Sequence, residues 1–236
     1  MNKNLIKEKL RSGKDVIGLF QNIINPNITE IMGILGFDFV IIDGEHTTFN
    51  PNLAEEHYRA AELRNISTIT RIGQNDQQVI QKFLDAGSQG VLMPLINNKS
   101  DALSVVDSVK YPPVGKRGLA SGRGSAYGIP QSVGEHVDSS NQETLVAIQI
   151  ETMEAMGKVE EISSIKEVDV LFFGPSDISS TFGIHGQIDN PKVRDTIINL
   201  SKIAIANGKS CGTIARDINA FKFYKDAGFQ WFCSGV

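Results

Sequence analysis

The chain has 236 residues, 41% of them hydrophobic and 21% charged, and its formal net charge is −4. This hydrophobic fraction excludes a disordered chain, and no apolar run reaches the ~18 residues of a membrane-spanning helix. The mild acidity and the scattered basic residues argue against nucleic-acid binding. Two cysteines, and a start without the apolar centre of a secretory signal, favour the reducing cytoplasm. We therefore expect a cytoplasmic protein with a single domain over residues 1–236.

Eight short apolar runs rich in β-forming residues recur along the chain. Near-continuous apolar runs are typical of parallel strands that are buried on both faces. In chain order, the predicted strands are Val16–Phe20, Phe37–Asp43, Ser67–Ile72, Gln89–Met93, Leu145–Ile150, Val168–Phe173, Ser210–Ile214 and Gln230–Cys233.

Segments with helical periodicity lie between these strands. We predict helices over Pro26–Leu35, Leu53–Leu63, Asp76–Ala86, Ser100–Val109, Ala155–Ile162, Pro191–Asn207 and Asp217–Ala227. Several stop at a glycine that can close a helix in the left-handed conformation, namely Gly36, Gly87, Gly208 and Gly228. Strands that alternate with helices predict a (β/α)8 barrel. A doubly wound open sheet is the competing interpretation, and it is disfavoured because no Gly-x-Gly-x-x-Gly follows the first strand.

One segment, residues 111–141, is irregular and rich in glycine and proline. A connection of this length inside a compact domain is usually functional or disordered. We expect it to lie over the mouth of the barrel, where Arg123 would touch substrate.

Polar residues follow the ends of four predicted strands. Strand two ends in Asp43-Gly44-Glu45-His46, strand three in Arg71, strand five in Gln149-Ile150-Glu151 and strand six in Gly174-Pro175-Ser176-Asp177. The active site of a (β/α)8 barrel lies at the C-terminal ends of its strands. Each of these residues alone could be a solvated turn residue, but together they place acids, a histidine and an arginine on one face.

This set of residues predicts a divalent-metal site. Glu151 and Asp177 supply hard oxygen ligands, which suit Mg²⁺ or Mn²⁺ with water or substrate in the remaining positions. A metal that chelates a 2-oxo acid through its carboxylate and keto oxygens would stabilise an enolate. The site therefore predicts carbon–carbon bond chemistry beside a keto acid.

The remaining polar residues suit the other parts of such a reaction. Arg71 could hold a carboxylate bidentately, and the amides around Gly174–Asp177 could form a small anion nest. His46 is a candidate proton carrier, and we expect the Asp43 carboxylate to orient its imidazole.

The motifs resemble one family, the class II 2-oxo-3-deoxy acid aldolases, typified by 4-hydroxy-2-oxoheptanedioate aldolase and 2-dehydro-3-deoxyglucarate aldolase. The resemblance runs from about residue 5 to residue 236. The matching elements are Ile42-Asp43-Gly44-Glu45-His46, Arg71, Leu84-Asp85-Ala86-Gly87, Tyr111-Pro112-Pro113-x-Gly115-x-Arg117-Gly118, Gln149-Ile150-Glu151 and Phe173-Gly174-Pro175-Ser176-Asp177.

The resemblance implies a (β/α)8 barrel of the phosphoenolpyruvate/pyruvate type and reversible aldol cleavage to pyruvate and an aldehyde. The implied cofactor is Mg²⁺ or Mn²⁺, with Co²⁺ as a third candidate. The implied assembly is a homo-oligomer, a trimer or a hexamer. Relatives continue through one more C-terminal helix after strand eight, so we expect this barrel to lack its final helix.

The resemblance also implies a role for individual residues. Glu151 and Asp177 would bind the metal, and Arg71 would bind pyruvate and face the developing enolate. His46 would be the acid/base, with Asp43 as its partner. The remaining implied substrate contacts are Gln149 beside the metal and the turn Gly174, Pro175, Ser176 and Asp177, whose amides would hold the pyruvate carboxylate. Asp85 would reach the site of a neighbouring subunit.

Two other functions stay open at this point. The same enolate would serve decarboxylation of oxaloacetate-like acids, or lyase action on a thioester as in citrate lyase β-like proteins. A barrel without catalysis is the second alternative. Outside the predicted site, His57 lies in a helical stretch and is expected at the surface.

Overall fold

A computed structural model describes residues 3–129 and 131–234, and within these residues eight parallel strands close into a barrel. Neighbouring strands pair in chain order, and β8 pairs back onto β1. The strands are β1 Val16–Gln21, β2 Phe39–Asp43, β3 Ser67–Arg71, β4 Gly90–Met93, β5 Leu145–Ile150, β6 Val170–Phe173, β7 Ser210–Ile214 and β8 Trp231–Ser234. The predicted (β/α)8 architecture is therefore confirmed.

Helices connect the strands and surround the barrel. They are α1 Leu5–Arg11, α2 Pro26–Ile34, α3 Pro51–Leu63, α4 Gln77–Ala86, α5 Lys99–Val109, α6 Val133–Glu143, α7 Met153–Met156, α8 Val159–Ser163, α9 Pro175–Thr181, α10 Pro191–Ala206 and α11 Ile218–Asp226, with a short 3₁₀ helix at Arg123–Gly128. Within residues 3–129 and 131–234, no helix has both the length and the apolar character to cross a membrane.

Local sequence signals fix where these helices start and stop. The side chain of Asp76 accepts hydrogen bonds from two backbone N–H groups in the first turn of α4, as an N-cap residue does. The four glycines predicted to close helices all have positive φ, for example +85° at Gly36 and +74° at Gly208. One predicted helix, Ala155–Ile162, is wrong as a continuous element: it is divided between α7 and α8 because Gly157 and Lys158 interrupt it.

The core has two layers. Inside the barrel, large side chains pack across the axis, and the Trp231 ring meets the Phe39 ring edge-on with centroids 4.8 Å apart. A second layer fills the space between the strands and the surrounding helices. These two layers hold the strand ends in fixed positions, which is why the loops that follow them can carry a precisely arranged site.

Two expectations about the periphery are wrong. Arg123 donates to the Ala86 carbonyl at 3.0 Å and to the Glu62 carboxylate at 2.6 Å. Both partners lie at the C-terminal ends of helices, so the segment around Arg123 covers the N-terminal ends of the strands, opposite the barrel mouth. His57 is fully buried, because it lies on the inner face of α3 beside Tyr58 and Ala61.

Candidate active site

The C-terminal ends of β2, β3, β5 and β6 bring most of the predicted site residues together. In the sheet, Asp43 at the end of β2 is in register with Arg71 at the end of β3. Gln149 on β5 is in register with Phe172 on β6, and α9 begins directly after Gly174. The site is therefore built on the ends of rigid strands and on the loops that follow them.

Asp43 and Arg71 form a bidentate ion pair. Arg71 Nε donates to Asp43 Oδ1 at 2.9 Å and Arg71 Nη2 donates to Asp43 Oδ2 at 2.6 Å. The carboxylate is 1% exposed. Burial by itself would raise the pKa of Asp43, but the hydrogen bonds and the charge of Arg71 outweigh it and hold that pKa below its usual value. The guanidinium also lies 4.8 Å from the centroid of the Phe20 ring, so its orientation is fixed on two sides.

The structure gives Asp43 a different partner from the predicted one. Its Oδ1 accepts the backbone N–H groups of Glu45, at 3.1 Å, and His46, at 3.3 Å. The His46 imidazole lies instead with its Nε2 atom 3.5 Å from Glu45 Oε2, and it is 68% exposed. The register between β2 and β3 points the Asp43 side chain at Arg71, and the turn carries the imidazole away from it. The carboxylate beside the imidazole is therefore that of Glu45, whereas the predicted partner Asp43 pairs with Arg71.

Glu45 is the site residue that the sequence reasoning did not select. Its Oε2 atom lies 3.3 Å from Arg71 Nη1 as well as 3.5 Å from the imidazole. Burial raises the pKa of the Glu45 carboxyl, and the nearby Asp43 and Asp177 carboxylates act in the same direction. The sequence did carry a signal for Glu45, because it lies between Asp43 and His46 in the same turn after β2.

Glu151 is buried among polar partners at the end of β5. Its Oε1 atom accepts the Leu95 backbone N–H at 2.8 Å, and its Oε2 atom accepts the side-chain amide of Gln149. Leu95 has φ +55°, a left-handed conformation that is uncommon for leucine and occurs preferentially at functional sites. Burial, together with the Asp177 and Glu45 charges, raises the pKa of Glu151 to about 7.

The space between Gln149, Glu151 and Asp177 suits a cation. A Cβ atom at Gly174 would lie 3.3 Å from Gln149 Nε2, 3.4 Å from Asp177 Oδ2 and 3.6 Å from Glu151 Oε2, so the glycine leaves a small cradle lined by these groups. Gln149 Oε1 is buried without a hydrogen-bond partner. The two carboxylates supply oxygen donors of the kind that Mg²⁺ and Mn²⁺ prefer, while the Gln149 amide nitrogen lies beside them and donates to Glu151. Among the described residues, no group of three or more His, Cys, Asp or Glu side chains is arranged to hold a metal ion. The acids at this cradle are the two carboxylates of Glu151 and Asp177.

A cavity of about 250 Å³ opens beside this cradle. Its polar wall carries His46, Arg71, Gln149, Ser176 and Asp177, and its apolar wall carries Phe20, Phe172 and Ile214. Pro175 occupies the first position of α9 and is buried, so the Ser176 and Asp177 amides lie in the first turn of that helix. The arrangement can bind a small acid with its charged end toward Arg71 and the helix start.

Asp85 is the one predicted site residue that the fold keeps apart from the others. It lies at the C-terminal end of α4, opposite the barrel mouth, where Arg117 Nη2 donates to its Oδ1 at 2.7 Å. Within a single chain, it therefore belongs to the other end of the barrel.

Comparisons with known proteins agree with this geometry. Residues 16–236 match the family model described as HpcH/HpaI aldolase/citrate lyase. The chain is 33% identical to a hydroxypyruvate/pyruvate aldolase of Sagittula stellata, with 97% of this chain and 90% of the relative covered. It is 31% identical to the 4-hydroxy-2-oxo-heptane-1,7-dioate aldolase of Salmonella typhimurium, with 99% and 89% covered.

A solved structure agrees as well. The HpcH/HpaI aldolase from Desulfitobacterium hafniense superposes with a TM-score of 0.91 at 30% identity and covers 98% of this chain and 90% of its own. The family resemblance drawn from the motifs is thereby confirmed. The chain belongs to the HpcH/HpaI aldolase/citrate lyase family, and it is a carbon–carbon lyase of the aldolase type.

Proposed function

We propose that the protein is a metal-dependent aldolase that reversibly cleaves a 4-hydroxy-2-oxo acid to pyruvate and an aldehyde. The observation that carries this proposal is the position of the Gly174 cradle, with its two carboxylates, beside the cavity that Arg71 lines. Aldol cleavage of such an acid leaves an enolate on the pyruvate fragment, and the cavity holds positive charge where that enolate would form.

Glu151 and Asp177 would hold the divalent ion, with Gln149 beside it. Mg²⁺ and Mn²⁺ suit these oxygen donors, and Co²⁺ is a third candidate. A bound ion would supply Lewis-acid stabilisation for the negative charge of the enolate. The raised pKa of Glu151 supports this assignment, because the crowded acids favour any cation that replaces their protons.

Arg71 would bind the substrate carboxylate or the enolate oxygen through the part of its guanidinium that Asp43 does not occupy. Asp43 takes Nε and Nη2, so Nη1 remains for Glu45 or for substrate. The buried Asp43 carboxylate would hold Arg71 in one orientation before substrate arrives, which is the preorganisation that stabilises charge in a transition state. The amides of Ser176 and Asp177, in the turn that begins with Gly174 and Pro175, would bind the other end of the pyruvate carboxylate.

His46 would take the proton that leaves the 4-hydroxyl group during cleavage. Its imidazole lines the cavity and is accessible, as an acid/base group must be. Glu45, with Oε2 3.5 Å from His46 Nε2, would stabilise the positive charge that the imidazole gains. Glu45 thus takes the positioning role that the motif pattern gave to Asp43.

We further propose that the enzyme acts in the cytoplasm as a homo-oligomer, a trimer or a hexamer. Asp85 supports this proposal, because it lies at the end of the barrel opposite its own cavity and could serve catalysis only in the site of a neighbouring subunit. Its substrates would be small 2-oxo acids and aldehydes.

A product screen tests the proposal. Pyruvate and Mn²⁺ are incubated with a panel of aldehydes, with and without EDTA, and the 4-hydroxy-2-oxo acid products are identified by mass spectrometry. We expect products that require the metal. The absence of product with every aldehyde and metal, or turnover of oxaloacetate alone, would contradict the aldolase assignment.

A further inference from the structure

A second cavity, of about 500 Å³, lies at the other end of the barrel. It is open to solvent and is lined by α1, by the end of α10 and by residues at the starts of β6, β7 and β8, which places it at the N-terminal ends of the strands. The proposed catalytic cavity lies at the C-terminal ends, so the two share no lining residue.

The lining of this basal cavity is positively charged. It contains four cationic side chains, Lys7, Arg11, Lys166 and Lys209, and one carboxylate, Asp169. Lys7 is 4% exposed, and its Nζ atom lies 2.9 Å from Asp169 Oδ2. Asp169 is the one acid in this lining, so the lining holds three more cations than acids.

The other cations differ in their surroundings. Lys209 Nζ donates to the Ile165 carbonyl at 2.6 Å; burial lowers the pKa of Lys209, and the Asp169 and Glu167 carboxylates act in the opposite direction. Arg11 and Lys166 are exposed, and neither has an ion-pair partner within the described residues.

A further lysine is buried close to Lys7, behind the cavity wall. Lys110 is 2% exposed, and its Nζ atom donates to the Thr144 carbonyl at 2.7 Å, the same carbonyl that Lys7 contacts at 3.1 Å. Burial, followed by the positive charge of Lys7, lowers the pKa of Lys110 to about 7. In a chain of net charge −4, such a local surplus of cations is unexpected unless it serves packing or a ligand.

We propose that the basal cavity binds a compact small molecule that carries at least two negative charges on phosphate groups. Lysine ammoniums act as point charges for phosphate oxygens, and Ser210 and Gln230 add polar side chains to the same wall. The volume suits a phosphorylated metabolite rather than a nucleic acid or a membrane surface. Because the site is separate from the catalytic cavity, bound ligand leaves the barrel mouth open to substrate.

Titration calorimetry with inorganic pyrophosphate tests this site. We expect saturable binding with one equivalent per chain, and Lys166→Glu should weaken it about tenfold at about 0.1 M salt, because the substitution reverses one exposed charge at the cavity. The matched control is Lys82→Glu, which makes the same change of net charge on the exposed face of α4. The control should bind pyrophosphate like the parent.

Arg11→Glu provides a second, independent charge reversal at the cavity, with the same expected loss. Circular dichroism confirms that each variant is folded, and both should retain the parent rate of deuterium exchange into pyruvate, because neither residue belongs to the catalytic cavity. No binding to the parent, parent-like binding by both cavity variants, or an equal loss in Lys82→Glu would overturn the proposal. An exchange rate that falls in both cavity variants would likewise overturn it, because the two residues would then act on the catalytic cavity.

Discussion

Arg71→Lys is the substitution that probes the proposed site most selectively. Arg71 makes two hydrogen bonds to Asp43, at 2.9 Å and 2.6 Å, and lies 3.3 Å from Glu45. A lysine keeps the positive charge, but its single ammonium cannot span both oxygens of Asp43 and still face a substrate. The variant therefore removes the planar guanidinium and its several N–H donors while leaving the net charge unchanged.

The expected cost follows from these contacts. Losing a preorganised donor to a developing oxyanion costs on the order of 2–4 kcal/mol of transition-state stabilisation, which corresponds to roughly 30- to 1000-fold in kcat/KM. Asp43, which is 1% exposed, also loses part of its bidentate partner, so we expect some loss of thermal stability.

The assay compares metal-dependent aldol cleavage in the parent, Arg71→Lys and Arg123→Lys. Arg123 is an arginine of similar burial whose side chain binds Glu62 and Ala86 at the opposite end of the barrel, so its variant controls for a general loss of stability. We expect Arg123→Lys to cleave substrate like the parent. If Arg71→Lys is within twofold of the parent both in kcat/KM and in the rate of exchange of the pyruvate methyl protons, the proposed role of the guanidinium is refuted.

Three further substitutions test separate parts of the account. His46→Ala should slow aldol cleavage roughly 10²–10⁴-fold and oxaloacetate decarboxylation much less, since only cleavage removes a hydroxyl proton; equal losses with unchanged metal content would show that the base lies elsewhere. Gly174→Ala should weaken Mn²⁺ binding about tenfold or more, because the new Cβ enters the cradle, and the fold should persist because a φ of −85° suits alanine. The control is Gly134→Ala, whose Cβ meets nothing within 4 Å. Equal Mn²⁺ affinities in the two variants would contradict the cradle. Burial lowers the pKa of His57 to about 4, so its stabilising contribution is complete above its unfolded pKa of ~6.5 and is lost as the pH falls toward 4. Between neutral pH and about pH 4.5, the parent should lose about 2–3 kcal/mol of its free energy of unfolding through His57, and His57→Leu should not show this loss. Urea denaturation at the two pH values measures the difference. The same pH dependence in parent and variant would refute the buried neutral state.

The sequence was sufficient to predict the barrel and to place most of the candidate site residues at the C-terminal ends of its strands. Apolar runs such as the one that ends at Asp43 mark strands buried on both faces, and the rule that barrel sites follow strand ends then selects Arg71, Glu151 and Asp177 without any structure. The predicted glycine stops were also reliable, because a left-handed residue at a helix end is a local requirement.

The pairing of side chains inside the site could not be predicted in the same way. Sequence proximity favoured Asp43 as the partner of His46, whereas the register of β2 against β3 places Asp43 beside Arg71, 28 positions away. The helical face of His57 and the side of the barrel that Arg123 covers are likewise set by three-dimensional packing. One signal was available and unused: Ser132 and Glu135 have the spacing of a capping box, which begins α6 within the supposedly irregular segment.

We propose above all that Glu151 and Asp177 hold a divalent ion that stabilises a pyruvate enolate. Deuterium exchange at the methyl group of pyruvate measures enolate formation directly, without any aldehyde. In D₂O, the parent with Mn²⁺ should incorporate deuterium, EDTA should abolish the exchange, and added Mn²⁺ should restore it. Glu151→Ala and Asp177→Ala should each remain folded and lose exchange together with most of their Mn²⁺ binding. Exchange that persists in EDTA, or that proceeds at the parent rate in either variant after metal is restored, would contradict the claim.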